Sequence, residues 1–277
     1  MLIIAKPTTV SRRHLVTTDR SELSKSGPEK SLLIPGFVKR QGRGFKGHIT
    51  VRHRGGGMKK KIRIIDWKRS KLDVPGVVMT IEYDPLRSAN IALINYIDGD
   101  KKYILAPEGM VVGSKVLAAV KTEPLPGNAM ELRNIPIGVP IHNLEIRKGK
   151  GAQLVRGAGN SALIQAKDDV YVTVLLPSKE QRLIKADCFA TIGQLGNSDW
   201  KNRKLGKAGR KRWMGIRPTT RGTAMHPNNH PHGGGEGRSG AGLKYQKTKW
   251  GKIAAPGKKT RDVHKTKKLI VKDRRSK

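Results

Sequence analysis

The sequence predicts a mainly β protein of two small barrels that carry long, irregular, basic N- and C-terminal extensions. Short segments rich in β-branched and aromatic residues recur through the middle of the 277-residue chain, separated by turn residues. A Pro- and Gly-containing stretch at residues 124–128 divides them into two groups. Residues 71–199 carry 15 basic and 14 acidic side chains, whereas the whole chain has a formal net charge of +36. The positive charge is therefore concentrated in the two ends.

We predict four segments: a basic N-terminal extension at residues 1–46, a first barrel at 47–124, a second barrel at 125–198, and a basic C-terminal extension at 199–277. No helical or strand period persists in the first segment. Domains as small as these barrels are marginally stable alone. We therefore expect the barrels to pack on each other or on a partner.

Alternation and turn residues predict the strands of both barrels. In the first barrel we expect strands at residues 47–52, 62–67, 77–83, 91–97 and 102–106. In the second barrel we expect them at residues 139–146, 153–156, 162–167, 171–176 and 181–184. A short helix is expected around residues 200–205.

The composition restricts the class of partner. A chain with this net charge binds polyanions, of which nucleic acid and anionic membrane are the obvious ones. No run of about 18 apolar residues is present, so we expect no membrane span. The single cysteine, Cys188, allows no internal disulfide, which fits a reducing compartment.

Residues 217–238 are rich in Gly, Pro, His and Arg and contain no Leu, Ile, Val or aromatic residue. Such a segment cannot bury enough apolar surface to offset the entropy of ordering, so a partner must supply its structure. The glycine run 233–235 would let the backbone lie against phosphate or sugar. His230 and His232 can stack on bases or hydrogen-bond to them and to 2′-hydroxyls.

A second glycine run, Gly55 to Gly57, is flanked by basic residues on both sides. Glycines permit close approach of the backbone to a surface, and the flanking cations favour an anionic one. A flexible hairpin loop with solvated charges is the alternative. The spacing of a nucleotide-binding P-loop is missing.

Two other functions compete with RNA binding. His226, His230, His232 and Glu236 could form a metal-dependent hydrolase site, although the segment has no core to hold ligands rigidly. The basic arms could alternatively bind any nucleic acid, duplex DNA included. Irregular Gly-rich arms suit the crevices of a folded RNA better than the regular grooves of a duplex.

Several motifs, in order along the chain, resemble the family of the universal second protein of the large ribosomal subunit, in its bacterial form. They are GHITVRHRGGG at 47–57, YDPLRSANIAL at 83–93, YILAP at 103–107, RNIP at 133–136, GKG at 149–151, LGKAG at 205–209, GIRPT at 215–219, RGTAM at 221–225 and HPHGGGEG at 230–237.

The resemblance implies an OB-like barrel followed by an SH3-like barrel, with extensions that penetrate ribosomal RNA. It implies a structural role near the peptidyl transferase centre, support of subunit association, and contacts with neighbouring ribosomal proteins and with the small subunit at the intersubunit face. We expect no catalytic residue, cofactor, metal, membrane contact or homo-oligomer. The expected location is a bacterial cytoplasmic ribosome, with an organelle-encoded chloroplast protein as the alternative.

By matching motif positions, Arg87 and Arg156 are expected on the family's RNA-binding surface. His230 falls at a family histidine once proposed to assist peptide-bond formation, and we interpret its role as structural. The full set of expected RNA-binding residues is Arg52, His53, Arg54, Gly55, Gly56, Gly57, Lys59, Lys60, Arg87, Arg156, Arg203, Lys204, Lys207, Arg210, Lys211, Arg217, Arg221, His226, His230, His232 and Arg238.

Overall fold

The computed structural model of the protein describes residues 1–34, 41–237, 239–254 and 266–274. The described residues fall into two compact units. The first unit draws on residues 1–38, 59–208 and 268–277, and the second on residues 39–58 and 209–267. Within the described part of the chain, no helix is long and apolar enough to cross a membrane.

The described residues contain fifteen short strands and one α-helix, so the protein is mainly β, as predicted. The strands are β1 (Leu2–Ile4), β2 (Val16–Thr18), β3 (Leu33–Ile34), β4 (Ile62–Arg63), β5 (Gly76–Glu82), β6 (Ile91–Tyr96), β7 (Lys101–Leu105), β8 (Lys115–Val116), β9 (Ala129–Glu131), β10 (Pro140–His142), β11 (Ala162–Lys167), β12 (Tyr171–Leu175), β13 (Gln181–Lys185), β14 (Phe189–Ile192) and β15 (Ile270–Lys272). The helix α1 spans Ala208–Trp213.

The first barrel is built on an antiparallel four-stranded sheet in the order β7-β6-β5-β8. Strand β6 is apolar nearly throughout because both faces of the sheet are covered. Ala92 and Ile94 pack into one buried cluster, and Ile91 and Leu93 into another.

The second barrel is built on an antiparallel seven-stranded sheet in the order β15-β13-β12-β11-β10-β14-β9. Its inward-facing residues form one core with the 3₁₀ turn Leu132–Asn134. The predicted OB-like plus SH3-like architecture agrees with these two sheets. The last strand, β15, comes from the far C-terminus and pairs with β13.

The two barrels pack on each other, as expected for domains this small. Leu195, from the loop after β14, is fully buried against Ile91, Tyr103 and Leu105 of the first barrel. The linker between the barrels joins them through Gly127, whose N–H donates to the carbonyl of Ile192 at 3.0 Å.

The second unit contains no buried residue among those that the structure describes. Backbone bonds join its two stretches. Gly55 N–H donates to Gly215 O, and Met58 N–H donates to Trp213 O, both at 3.0 Å. The low apolar content of residues 217–238 thus agrees with the absence of buried residues in the described part of this unit.

Strand predictions were most accurate where the apolar run was long. Those for residues 77–83, 91–97, 102–106, 162–167, 171–176 and 181–184 are confirmed to within one residue at each end. The predicted strands at 62–67 and 139–146 are shortened to β4 and β10.

The strand predicted at residues 47–52 was wrong. This region lies in the second unit and makes only an isolated bridge, between Arg43 and Ile49. The strand predicted at 153–156 was also wrong, because only Leu154 forms a bridge there. The predicted helix near residue 200 is a 3₁₀ turn at Ser198–Asn202, and α1 lies further along the chain.

Candidate nucleic-acid interface

Arg87 and Arg156, one from each barrel, meet at a single aromatic ring. The guanidinium carbon of Arg87 lies 5.3 Å from the centroid of the Trp67 indole, and that of Arg156 lies 4.7 Å from it. Guanidinium groups at this distance are attracted to the negative face of the ring. We call Trp67, Arg87 and Arg156 the Trp67 surface.

A buried carboxylate orients Arg87 within this surface. Asp84 is fully buried and accepts a hydrogen bond from Nε of Arg87 with one oxygen and from Leu86 N–H with the other. The chain turns sharply at Asp84, which places Arg87 beside Trp67. Lys60 is fixed to the same turn, because its Nζ donates to the carbonyl of Pro85 at 3.1 Å.

The second barrel is bonded to both sides of the Trp67 surface. Ala158 N–H donates to the hydroxyl of Ser88 at 3.1 Å, next to Arg87, and Ala152 N–H donates to the carbonyl of Trp67 at 2.8 Å. Gly151 has a φ of +85°, and a Cβ there would lie 3.1 Å from the Trp67 carbonyl oxygen. Glycine is therefore required for this close approach.

Sequence reasoning missed Trp67, the neighbouring Lys68 and the basic loop that approaches them. The built Cβ of Gly151 would lie 3.2 Å from Cγ of Lys68, so the loop carrying Arg147, Lys148 and Lys150 is close to Lys68. All four cations are exposed. The GKG motif at 149–151 could have pointed to this loop as part of the site. No sequence pattern marks Trp67, a single tryptophan after a short strand.

Arg203 and Lys204 lie against the N-terminal hairpin in the first unit. Lys204 exchanges two backbone hydrogen bonds of 3.0 Å with Val16. The guanidinium carbon of Arg203 lies 3.9 Å from the Trp200 ring centroid, and Arg20 lies over Tyr83 in the same way at 3.8 Å. Burial lowers the pKa of Arg203, and the nearby charge of Arg20 lowers it further.

The glycine run Gly55 to Gly57 approaches the protein's own backbone in the second unit. A Cβ on Gly57 would lie 2.8 Å from both Gly215 N and Trp213 O. The glycine run and Trp213 line a cleft of about 410 Å³, and Arg212 and Arg217 line it as well. Gly56 has no atom within 4 Å of its built Cβ, so at least this glycine leaves open space in front of the backbone.

Most expected cations of the second unit are exposed. Arg52, Arg54, Lys211, Arg217 and Arg221 are exposed, and Arg210 is half-buried. In the first unit, Lys59, Lys204 and Lys207 are exposed as well.

Two tryptophans accompany the cations of the second unit. Arg52 lies 5.5 Å from the ring centroid of Trp250, which is 71% exposed, and Trp213 beside the cleft is 51% exposed. Exposed indoles can stack on bases. Arg238 was also expected to bind RNA, and it lies outside the described residues.

The three histidines accept hydrogen bonds from backbone N–H groups. Nδ1 of His230 accepts from His232 N–H at 3.0 Å, and Nε2 of His232 accepts from Lys247 N–H at 2.9 Å. Nδ1 of His226 accepts from Asn228 N–H at 3.3 Å. Accepting nitrogens are unprotonated, and their lone pairs are engaged by these donors.

The His230 ring packs tightly on Gly222. A Cβ on Gly222 would lie 2.6 to 2.8 Å from three atoms of the imidazole, and the rings of His230 and His232 are 4.7 Å apart. Desolvation lowers the pKa of His230, and the charges of His232, Arg52 and Lys249 lower it further. The ring is therefore neutral near pH 7.

The loop that carries His226, His230 and His232, which we call the histidine loop, does not gather a metal-ligand set. In the part of the chain that the structure describes, no three His, Cys, Asp or Glu side chains are grouped so that they could hold a metal ion. The backbone donors on His226, His230 and His232 occupy a ring nitrogen of each that a metal would need.

Comparison with known protein families identifies both halves of the chain. Residues 30–118 match the family model described as Ribosomal Proteins L2, RNA binding N-terminal domain. Residues 125–251 match the family model described as Ribosomal Proteins L2, C-terminal domain. The matched ranges include Trp67, Arg87, Arg156 and the histidine loop, and the boundary between them lies just before Gly127 of the linker.

Proposed function

The chain belongs to the family of ribosomal proteins L2, and from this membership we propose that it is a structural, non-enzymatic component that binds large-subunit ribosomal RNA near the peptidyl transferase centre. Membership makes it a large-subunit ribosomal protein with an RNA-binding N-terminal domain. The proposal adds which surface binds the RNA, where it binds, and what the binding does.

The Trp67 surface is the observation that carries the proposal. Arg87 and Arg156 come from different barrels, yet one indole and a set of backbone bonds hold them together. Guanidinium groups held in fixed positions bind phosphate oxygens in a bidentate manner. We infer that one RNA backbone contacts both barrels here, with Lys68 and Lys150 beside it.

The second unit binds by a different mechanism. It has no described buried residue, and it carries Arg52, Arg54, Arg217 and Arg221 on its surface. Phosphates neutralise this charge, and Gly56 and the exposed Trp250 let the RNA approach closely. The RNA thereby supplies the packing partner that the sequence of this unit lacks.

Once RNA has ordered the second unit of this protein, that unit supports association of the large and small ribosomal subunits. We assign His226, His230 and His232 a structural part in it, because backbone donors engage their ring nitrogens. We also propose contacts with neighbouring ribosomal proteins and with the small subunit, and a bacterial ribosome as the location. RNA carries the chemistry of peptide-bond formation in this account.

The test is binding of the purified protein to large-subunit ribosomal RNA as a function of salt. Arg156→Ala removes an exposed cation from the Trp67 surface while leaving Asp84 paired with Arg87. We expect affinity to fall about tenfold and the slope of log K against log salt to decrease in magnitude by about 0.7 to 0.9, the contribution of one phosphate.

Lys115→Ala is the matched control, because Lys115 is an exposed cation of β8 outside the Trp67 surface. It should leave the slope unchanged. Equal losses for the two variants would mean that general charge, and not this surface, binds the RNA. Equally tight binding of duplex DNA at matched salt would favour a general nucleic-acid-binding protein instead.

A further inference from the structure

Arg69 is a buried cation at the junction of the two barrels. Only 6% of its surface is exposed, and its backbone adopts a left-handed φ of +53°. Asp66 holds this turn, because its Oδ1 accepts from the N–H groups of Lys68 and Arg69 at 3.0 and 2.9 Å. Nη1 of Arg69 donates to the carbonyl of Gly127 in the linker at 3.2 Å. The side chain thus runs from the first barrel to the linker.

Several other polar atoms of this region have no hydrogen-bond partner within the protein. Nε and Nη2 of Arg69 are buried donors without an acceptor. Oδ2 of Asp66, the hydroxyl of Tyr96 and Nε2 of His142 are buried groups that can accept hydrogen bonds and accept none, although Nζ of Lys102 forms an ion pair with Oδ2 of Asp66 at 3.9 Å. Electrostatic interactions link Arg69 to all three of these residues. Buried polar groups in folded proteins are almost always satisfied.

The tautomer of His142 makes its Nε2 an acceptor. Nδ1 lies 2.7 Å from the carbonyl oxygen of Gly193, which can only accept, so Nδ1 carries the proton. His142 is fully buried in β10 of the second barrel, whereas Asp66 and Tyr96 belong to the first. Donors on Arg69 and acceptors from both barrels are thus complementary in number and kind.

We propose that Arg69 is the centre of a buried hydration site, in which ordered water bridges its guanidinium to His142 of one barrel and to Asp66 and Tyr96 of the other. The site fixes the two barrels in register and thereby holds Arg156 beside Trp67. Arg69 is a positioning residue, because a cation buried to this extent cannot reach an RNA phosphate.

Water suits the donors and acceptors of the site better than an anion does. An anion only accepts hydrogen bonds, so it could not donate to Nε2 of His142 or to Oδ2 of Asp66, and it would lie close to the Asp66 carboxylate. Water both donates and accepts, and it can therefore satisfy Arg69 and His142 together. A direct hydrogen bond between Arg69 and His142 would leave the remaining donors of Arg69 unsatisfied.

The backbone connects this site to the Trp67 surface within three residues. Trp67 lies between Asp66 and Arg69, and its carbonyl accepts from Ala152 of the second barrel. Arg156 follows on the same loop. A change in the tilt of the second barrel about the linker would therefore move Arg156 relative to Trp67 and Arg87.

The hydration site is tested directly on the wild-type protein, without RNA. A high-resolution crystal structure should show water within hydrogen-bonding distance of Arg69 and of Nε2 of His142. A dry site, or a direct hydrogen bond between the two side chains, would overturn the proposal. This result does not depend on the proposed function.

The positioning role rests on the proposed function and is tested with the RNA-binding assay. Arg69→Met keeps an unbranched apolar stem but removes the guanidinium and its donors, and Arg69→Lys keeps the charge with a different donor geometry. We expect Arg69→Met to lower affinity and salt slope as Arg156→Ala does, with no further loss in the double variant. Arg69→Lys should recover part of the loss.

Independent, additive effects of Arg69→Met and Arg156→Ala would contradict the positioning role, as would a wild-type salt slope in a folded Arg69→Met protein. If Arg69→Met does not fold, Arg69→Lys gives the same comparison. If Arg156→Ala itself has no effect on RNA binding, the proposed function fails while the hydration site remains testable by crystallography.

Discussion

Arg87 and Arg156 illustrate what a sequence reveals about a single residue. Their positions in motifs that resemble a family predicted their role, whereas their meeting place on Trp67 depends on how two barrels pack. The position of Arg69 also could not be predicted from the sequence. The turn at Asp66 sets its left-handed backbone, and the linker buries its side chain. No local sequence pattern indicates the backbone conformation or the burial.

His142 gives a prediction at this scale. Burial lowers its pKa to about 4 from an ordinary value of 6.5, partly offset by the hydrogen bond to Gly193 and reinforced by Arg69. Between these values the unfolded chain binds a proton that the folded protein does not. The free energy of unfolding should therefore fall as pH decreases from about 6.5 toward 4, by up to about 1.4 kcal/mol per pH unit.

Urea unfolding at fixed ionic strength between about pH 7 and pH 5 measures this effect. His142→Asn keeps a donor for the Gly193 carbonyl but cannot titrate, so its unfolding free energy should change less over this range. A pH dependence equal to that of the wild type would show that other groups cause it.

Among the elements, prediction succeeded where a strand is long and apolar enough to show its own pattern. Strand β6 has both faces buried, and its continuous apolar run was recognised. Strands β8, β9 and β14 have two to four residues, too few to show alternation, and they become strands because neighbouring strands pair with them. Residues 47–52 alternate but have no sheet to join.

Strand β15 gives the prediction at the scale of an element. It extends the seven-stranded sheet beside β13, although none of its residues is buried. Deleting residues 270–277 should therefore lower the free energy of unfolding by only about 1–2 kcal/mol, since a few edge hydrogen bonds are lost. Amide hydrogen exchange should accelerate in β13 and remain unchanged in β11.

A variant with Lys272→Gln, Arg274→Gln, Arg275→Gln and Lys277→Gln is the control for the four basic side chains removed by this deletion. It keeps the backbone of β15, so β13 should stay protected. Cooperative loss of the second barrel on deletion would mean that β15 is part of the core and not an added edge strand.

At the scale of the molecule, charge and burial divide the chain in the same way. Residues 71–199 are nearly neutral and contain most of the buried core, whereas the second unit is strongly basic and has no buried residue in the described ranges. Composition predicted that residues 217–238 cannot form a core, because they contain almost no apolar side chains. It did not predict that residues 47–58 belong to the second unit, since we expected them in the first barrel. It could not predict that the glycine run at 55–57 packs against residues 213–217.

The most direct test of the central claim is sucrose-gradient sedimentation of a cell lysate, with detection of this protein at high and low magnesium. A structural protein of the large subunit should sediment with intact ribosomes at high magnesium. It should remain with the large subunit when low magnesium separates the subunits. Recovery at the top of the gradient under both conditions would contradict the account, because the basic surfaces would then serve a different polyanion.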